Sequence, residues 1–564
     1  MNCSCASSAR FVPVLLALAV STTAAPPVAA PAIVTPVEKT AARQIHAETI
    51  RGHVRYLASD LLEGRGPASR GDRLAEEYIA AQMEGLGLEP AAPGGGWFQP
   101  FDVVGITSEA PPVVRFTRDG QSVEARYRED YVAFSGVQEP EASTRGGEVV
   151  FVGYGIVAPE YQWDDFKGAD LKGKVLLIMN NDPESDPRLF AGKTRLYYGR
   201  WDYKYAMAGK VGAAGAIIIH TTPSAGYPWQ VVQTSWSGEQ FALPHENEPE
   251  VAIQAWVTED AARKVARLGG QDLDALRTAA QKRDFRPVGL GVAVDISLKN
   301  VVQKKQTGNV IGRLNGRDPA LAKEAVVYTA HHDHLGVKEG AKPGQDAIYN
   351  GALDNASGVA SMLAIAKAFK ALPDAPRRSI LFAAVAAEEQ GLLGSKYLAA
   401  HPPIPVGRMA ANINVDGVDI WGRTRDITMI GLGKSSLDDW IVKLAAMQGR
   451  VVVPDQFPDK GFFYRSDQFS LAQVGVPAAY FDAGTDVIGK PAGWGKAQQE
   501  KFEANDYHQP SDELRPDWDL SGAVEDAQLC FYLGVKVASA PQMPHWKAGD
   551  EFEAARKKAL AEVR

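Results

Sequence analysis

The chain has 564 residues, and at roughly 100 to 200 residues per domain that length predicts more than one folded unit. A hydrophobic content of 45% with 23% charged residues is ordinary globular composition and speaks against a disordered or fibrous chain. The formal net charge is -8, with acids and bases interspersed. No basic stripe is present to neutralise a phosphate backbone, so nucleic acid is not expected as a partner.

The chain opens with Met1 to Arg10, followed by an apolar run over 11–20 and small residues through Ala24-Ala25. This is the pattern of a signal peptide spanning about 1–30, and the run falls short of the roughly 20 residues that cross a bilayer. The expectation is export to the periplasm or exterior, with no membrane span after cleavage. Cys3 and Cys5 leave with that segment, so Cys530 stands alone and forms no internal disulfide.

From about residue 47 the apolar residues recur at helical spacing, with His53-Val54, Leu57 and Leu61-Leu62 ahead of a Gly-Pro turn at 64–67. A second helix follows from Gly71 and closes before Pro90. Between 147 and 293 the texture changes to short β runs at 148–152 and 173–179, a helix over 205–214 and a further run at 215–219. That stretch reads as a β-rich module inserted into a larger unit.

From Asn309 onward strands and helices alternate, the signature of a mainly parallel sheet with helices on its faces. Strands are expected at 325–329, 379–387, 411–415 and 477–481, and helices at 356–372, 392–400 and 436–447. Ligands of open α/β sheets bind beyond the carboxyl ends of the strands, so chemistry is sought there.

The first such end carries His331-His332-Asp333-His334. Imidazole and carboxylate are the ligand types that Zn²⁺ accepts besides thiolate. His331 is the ligand chosen, although spacing does not exclude His332 or His334. Asp333 is placed to accept the other ring N–H of a ligating histidine. Asp354 follows at the start of an apolar helix, where an Asp or Asn also serves as a helix cap. Its two oxygens can bridge cations about 3.5 to 4 Å apart. Glu388-Glu389 ends a very apolar strand, and adjacent buried acids need a cation or a proton to compensate them. Asp416 closes another apolar run and His508 comes from a late loop.

These residues fit two metal ions bridged by Asp354, one held by His331 and Asp416 and the other by Glu389 and His508. Glu388 is left uncoordinated, as a general base that takes a proton from water and passes it to a leaving amine. Two Zn²⁺ per chain are expected, with Co²⁺ or Mn²⁺ suited to the same ligands.

At these motifs the sequence resembles the zinc exopeptidases that include secreted bacterial leucyl aminopeptidases, plasma glutamate carboxypeptidase and glutamate carboxypeptidase II. The family order of His-x-Asp, Asp-Asn-x-x-Gly, Glu-Glu, Asn-x-Asp and a final His is met by His331/Asp333, Asp354-Asn355, Glu388-Glu389, Asn414/Asp416 and His508. The resemblance implies an α/β zinc-exopeptidase fold of the phosphorylase/hydrolase-like type. It also implies this organisation: an amino-terminal part of the catalytic domain over 31–146, a protease-associated insert over 147–293, the metallopeptidase catalytic domain over 294–545, and a tail over 546–564.

Two departures stand out. Leu353 precedes the bridging acid where many relatives carry Asp, and Ser466-Asp467-Gln468 replaces Ser-Asp-His near the pocket. Tyr464 and Arg465, just upstream, are candidates for substrate contact. The activity implied is that of an aminopeptidase on peptide substrates, with carboxypeptidase or dipeptidase action as the alternative on the same core. A metal-free binding protein and a single-zinc glutaminyl cyclase are less consistent with the full ligand set and the insert, for which a lid over the pocket is the preferred role. Oligomeric state is not legible.

Overall fold

The computed structural model describes residues 1–4, 33–245, 249–338 and 340–563. The signal-peptide segment lies almost wholly outside the described residues. Among those described, no helix is long and apolar enough to cross a membrane.

The runs Ala325–His331, Ser379–Val385 and Met409–Asn414 are buried at every position. Strands apolar on both faces must be covered on both faces, which is the setting of parallel sheets. In chain order the main sheet contains β1 (Phe98–Glu109), β2 (Glu239–Ala242), β3 (Ser297–Leu314), β4 (Ala325–His331), β5 (Ser379–Val385), β6 (Met409–Asn414), β7 (Asp426–Ile430), β8 (Val451–Pro454) and β9 (Ala478–Asp482). Their spatial order is β2-β1-β3-β5-β4-β6-β9-β7-β8. The β5-β4-β6-β9 centre is parallel, while β1, β3 and β7 join antiparallel.

Alternate side chains of the central strands enter opposite layers. Tyr328 and Phe382 pack with Phe369 and Phe531 of helices Ser357–Lys370 and Ser521–Ser539. Val327 and Leu381 pack with Leu398 and Leu471 of helices Leu393–Ala400 and Gln468–Gln473. Cys530 is buried in the first layer, where its carbonyl accepts the Tyr328 hydroxyl at 2.8 Å.

A second sheet of eight strands lies in the chain between β1 and β3. Its parallel centre is Gly147–Phe151, Val175–Met179, Gly215–His220 and Ile253–Thr258. It also takes in Val113–Arg118, Gln121–Arg126 and Tyr131–Ser135, so it begins upstream of the change in texture at 147. Those three strands pair antiparallel at its margins, two of them as a hairpin across Asp119-Gly120. The helix expected over 205–214 forms instead over Trp201–Lys210, stopping before Gly212 at φ +72, a left-handed residue that ends helices. The segment read as a tail contains helix Glu553–Ala561, docked through the Arg556 guanidinium to the Met409 carbonyl at 3.0 Å.

Candidate metal centre

The chemical groups gather at the carboxyl ends of the parallel centre, some directly at a strand end and others brought there by loops. His331 is the last residue of β4. Glu388 and Glu389 follow β5 after Ala387, whose φ of +54 turns the chain out of the strand. Asp416 follows β6, and Asp354 lies in the turn before helix Ser357–Lys370.

That turn is held from three sides. Asp512 accepts the backbone N–H groups of Leu353 at 2.9 Å and Asp354 at 3.0 Å. Asn355, not Asp354, makes the cap-like bond, its Oδ1 accepting the Gly358 N–H at 2.9 Å. The same Oδ1 accepts the Gly417 N–H at 3.0 Å, and Nδ2 donates to the Val415 carbonyl at 3.0 Å. Asn355 therefore ties the Asp354 turn to the Asp416 loop and leaves the Asp354 carboxylate free. Beneath them the fully buried Arg65 donates to the carbonyls of His332 at 2.8 Å, Asn350 at 2.7 Å, Gly351 at 3.0 Å and Leu57.

The Asp354 carboxylate points one oxygen each way. Oδ1 is 3.2 Å from His331 Nε2, which is 3.3 Å from Asp416 Oδ1. Oδ2 is 3.3 Å from His508 Nε2, which is 3.0 Å from Glu389 Oε2. His331, Asp354 and Asp416 could together hold one ion. His508 Nε2 is buried and lacks a hydrogen-bond partner, an unmet donor or acceptor of the kind a bound cation satisfies. The donor set is nitrogen and oxygen, which suits zinc. Glu388 lines the adjoining cavities, its Oε2 4.0 Å from His331 Nε2, and with His331 and Glu389 it forms a further group whose ligand atoms lie close together.

Without cations, the charges of this cluster fall on its own groups. Burial alone would push His331 down, but Glu388, Asp416 and their neighbours raise it well above the imidazole range. Burial likewise opposes the protonated form of His508, yet Glu389 and Asp354 lift it to about 10. Asp354, despite burial, is held well below the carboxylate range by His331 and His508. Glu389 is lowered to about 2, the histidines His508 and His334 outweighing its burial. Burial, with Glu389 and other acids, pushes Glu388 well above the ordinary range. Two imidazoles inside a ring of acids are thus poised to exchange protons for metal.

Three sequence expectations meet a different geometry. The Asp333 carboxylate is 3.7 Å from His331 Nδ1, beyond hydrogen-bond reach, and the nearer acceptor is the Asp333 carbonyl at 3.3 Å. Its oxygens instead accept the N–H groups of Glu388 at 3.0 Å and Glu389 at 3.3 Å. His332 turns away to Asp72 at 3.1 Å, whereas His334 Nδ1 meets Glu389 Oε1 at 2.6 Å. Gln468 does not face the pocket: it is buried and bonded to Asn414 and to the Phe463 carbonyl.

Tyr464 also points elsewhere, its hydroxyl on Glu551 at 2.8 Å, but Arg465 lines the cleft beside the site. Asp512 and Asn355 could have been suspected from their places beside His508 and Asp354, although the sequence says nothing of what they hold. The cavity on the Asp416 side is walled by Leu353, Trp421, Phe462, Tyr480 and Tyr507.

A parallel α/β sheet with histidines and carboxylates gathered beyond its strand ends is an arrangement that can hold divalent metal for hydrolysis. Residues 309–532 match the model of Peptidase family M28. The aminopeptidase YwaD of Bacillus subtilis (strain 168) is 25% identical over 371 residues, 64% of this chain and 62% of that protein. The match therefore spans about three fifths of that relative's length. A vacuolar membrane protease of Candida dubliniensis is 30% identical over 106 residues, covering 19% of this chain and 10% of that protein. Among solved structures, the aminopeptidase from Aneurinibacillus sp. strain AM-1 superposes with a TM-score of 0.51 at 20% identity, covering 90% of this chain and 97% of that one, a likeness of fold.

Proposed function

We propose that the protein is an exported zinc-dependent aminopeptidase with two metal ions per chain. The observation that carries this reading is Asp354, whose two oxygens face His331 and His508 at 3.2 and 3.3 Å. A carboxylate shared in that way is what two adjacent cations require. His331 and Asp416 would hold one ion, and His508 and Glu389 the other. Bound there, zinc supplies Lewis acidity toward a peptide carbonyl and makes water easier to deprotonate. Glu388 accepts the proton of the attacking water at a carboxylate oxygen and returns it to the leaving amine. The aromatic cavity beside Asp416 receives the side chain of the cleaved residue. The inserted sheet, in the role of a protease-associated domain, covers the cleft and restricts it to peptide ends.

A second reading, dipeptidase or carboxypeptidase action, is favoured by one observation. Arg465 and Arg200 line the same cleft as Glu388 and Glu389, and Arg465 Nη1 and Arg200 Nε are buried without hydrogen-bond partners. A substrate carboxylate is a natural partner for such groups.

The deciding experiment measures metal content by plasma mass spectrometry together with hydrolysis of aminoacyl-4-nitroanilides and of N-blocked dipeptides. Two zinc ions with nitroanilide cleavage support the aminopeptidase. Two zinc ions with cleavage of N-blocked dipeptides alone transfer the assignment to the second reading, and a chain without bound metal overturns both.

A further inference from the structure

Ser235 ends helix Trp229–Ser235, which lies in the chain between strands Gly215–His220 and Ile253–Thr258 of the second sheet. Its hydroxyl is 2.8 Å from Nδ1 of His508, 273 residues away. The preceding Thr234 hydroxyl reaches the His508 carbonyl at 3.4 Å. His508 itself sits at φ +56, a backbone region that non-glycine residues occupy only when their surroundings hold them there. The chain then turns into β2, where the Phe241 N–H donates to Gln390 Oε1 at 3.0 Å, directly beside Glu389. The stretch 234–241 thus bonds to His508 and to Gln390, the neighbour of Glu389.

An imidazole offers a lone pair at Nε2 only when its proton is on Nδ1, and the group bonded to Nδ1 decides which tautomer is present. For Nε2, turned to Asp354 and Glu389, to carry a metal, Nδ1 must hold the proton, and Ser235 Oγ is then its acceptor. His331 differs, since its Nδ1 is served by the backbone carbonyl of Asp333 in its own segment. One histidine is oriented from within the catalytic sheet and the other from the inserted unit.

We infer that Ser235 is a positioning residue for metal binding: it holds His508 in the tautomer and orientation that bind the second ion, so that this ion's affinity depends on how the inserted unit is docked. This rests on the reading of His508 as a metal ligand. Groups that orient a metal-bound histidine contribute about 10- to 100-fold in affinity.

The test is zinc affinity of the full chain, measured by competition with a chromogenic chelator, for the wild type, Ser235→Ala, Ser235→Thr and His508→Ala. The expected result is that Ser235→Ala binds one ion as the wild type does and the other at least about tenfold more weakly, while Ser235→Thr, which keeps the hydroxyl, binds both as the wild type does. Wild-type affinity for both ions in Ser235→Ala would overturn the inference and leave the metal site standing. Equal loss in Ser235→Ala and Ser235→Thr would also overturn it, because the effect would then follow packing and not the hydroxyl. If His508→Ala retains both ions at wild-type affinity, the ligand reading has failed and the inference falls with it.

Discussion

His331 and His508 meet through a single carboxylate: each Nε2 lies 3.2 to 3.3 Å from a different oxygen of Asp354. The two rings come from residues 177 positions apart. Substituting Asp354 should therefore differ in kind from substituting a group on one side. Asp354→Ala is expected to reduce bound metal toward zero, whereas Asp416→Ala leaves the His508 side intact and retains about one ion. Metal analysis of the two purified variants checks this.

Glu388 lines the cleft at the edge of the cluster, its Oε2 4.0 Å from His331 Nε2, and is proposed as the base and not as a ligand. Glu388→Gln preserves the side-chain volume and removes the proton acceptor. Turnover should fall by about 10²- to 10⁴-fold with metal content unchanged, as read by steady-state kinetics beside metal analysis.

Stripping the metal should destabilise the fold, because Asp354, Glu388, Glu389 and Asp416 converge in one buried cluster with only their histidines to offset them. At a free zinc concentration about a thousandfold above Kd, linkage gives about 4 kcal/mol, or roughly 4 °C in Tm for a chain of this length. Calorimetry with and without chelator, followed by zinc add-back, measures it.

Arg65 joins the carbonyls of Asn350, Gly351 and His332, so it braces the turns that carry Asp354 and His331. Arg65→Met keeps much of the volume and abandons those buried acceptors. A loss of about 3 kcal/mol or more is expected, together with weaker metal retention, both readable by urea unfolding and chelator challenge.

Asp482 stands in the wall of the aromatic cavity with Lys460 and Glu503. Burial, reinforced by Asp455 and Glu503, raises it to about 7. A folded-state pKa above the unfolded value means that the native protein holds the extra proton. Its stabilising contribution is full below about 4 and is lost as pH rises through about 7. Asp482→Asn, neutral throughout, should gain stability relative to the wild type across that interval. Parallel urea titrations at pH 5 and pH 8 give the comparison, and a difference that is constant with pH would disprove it.

Much of the fold and of the site was legible from local pattern. The unbroken apolar runs at 325–329 and 379–387 announce parallel strands, since a chain apolar on both faces must be covered on both. Acids and histidines stranded at the ends of such runs announce a site, because burial without compensation is too costly. His331, Glu388, Glu389 and Asp416 stand out on that ground, Asp354 by its place at the start of an apolar helix and His508 as the late-loop histidine that completes the set; the structure places the six near one another. The relations that close only through space had no such signal. The turn of His332 toward Asp72 while His334 takes Glu389, the use of Asp333 to pin Glu388 and Glu389, and the reach of Ser235 to His508 all join residues whose separation along the chain carries no periodicity. Composition and pattern record what each residue must escape or seek; which partner it finds is decided by packing, where the two sheets and the late loop are brought into contact.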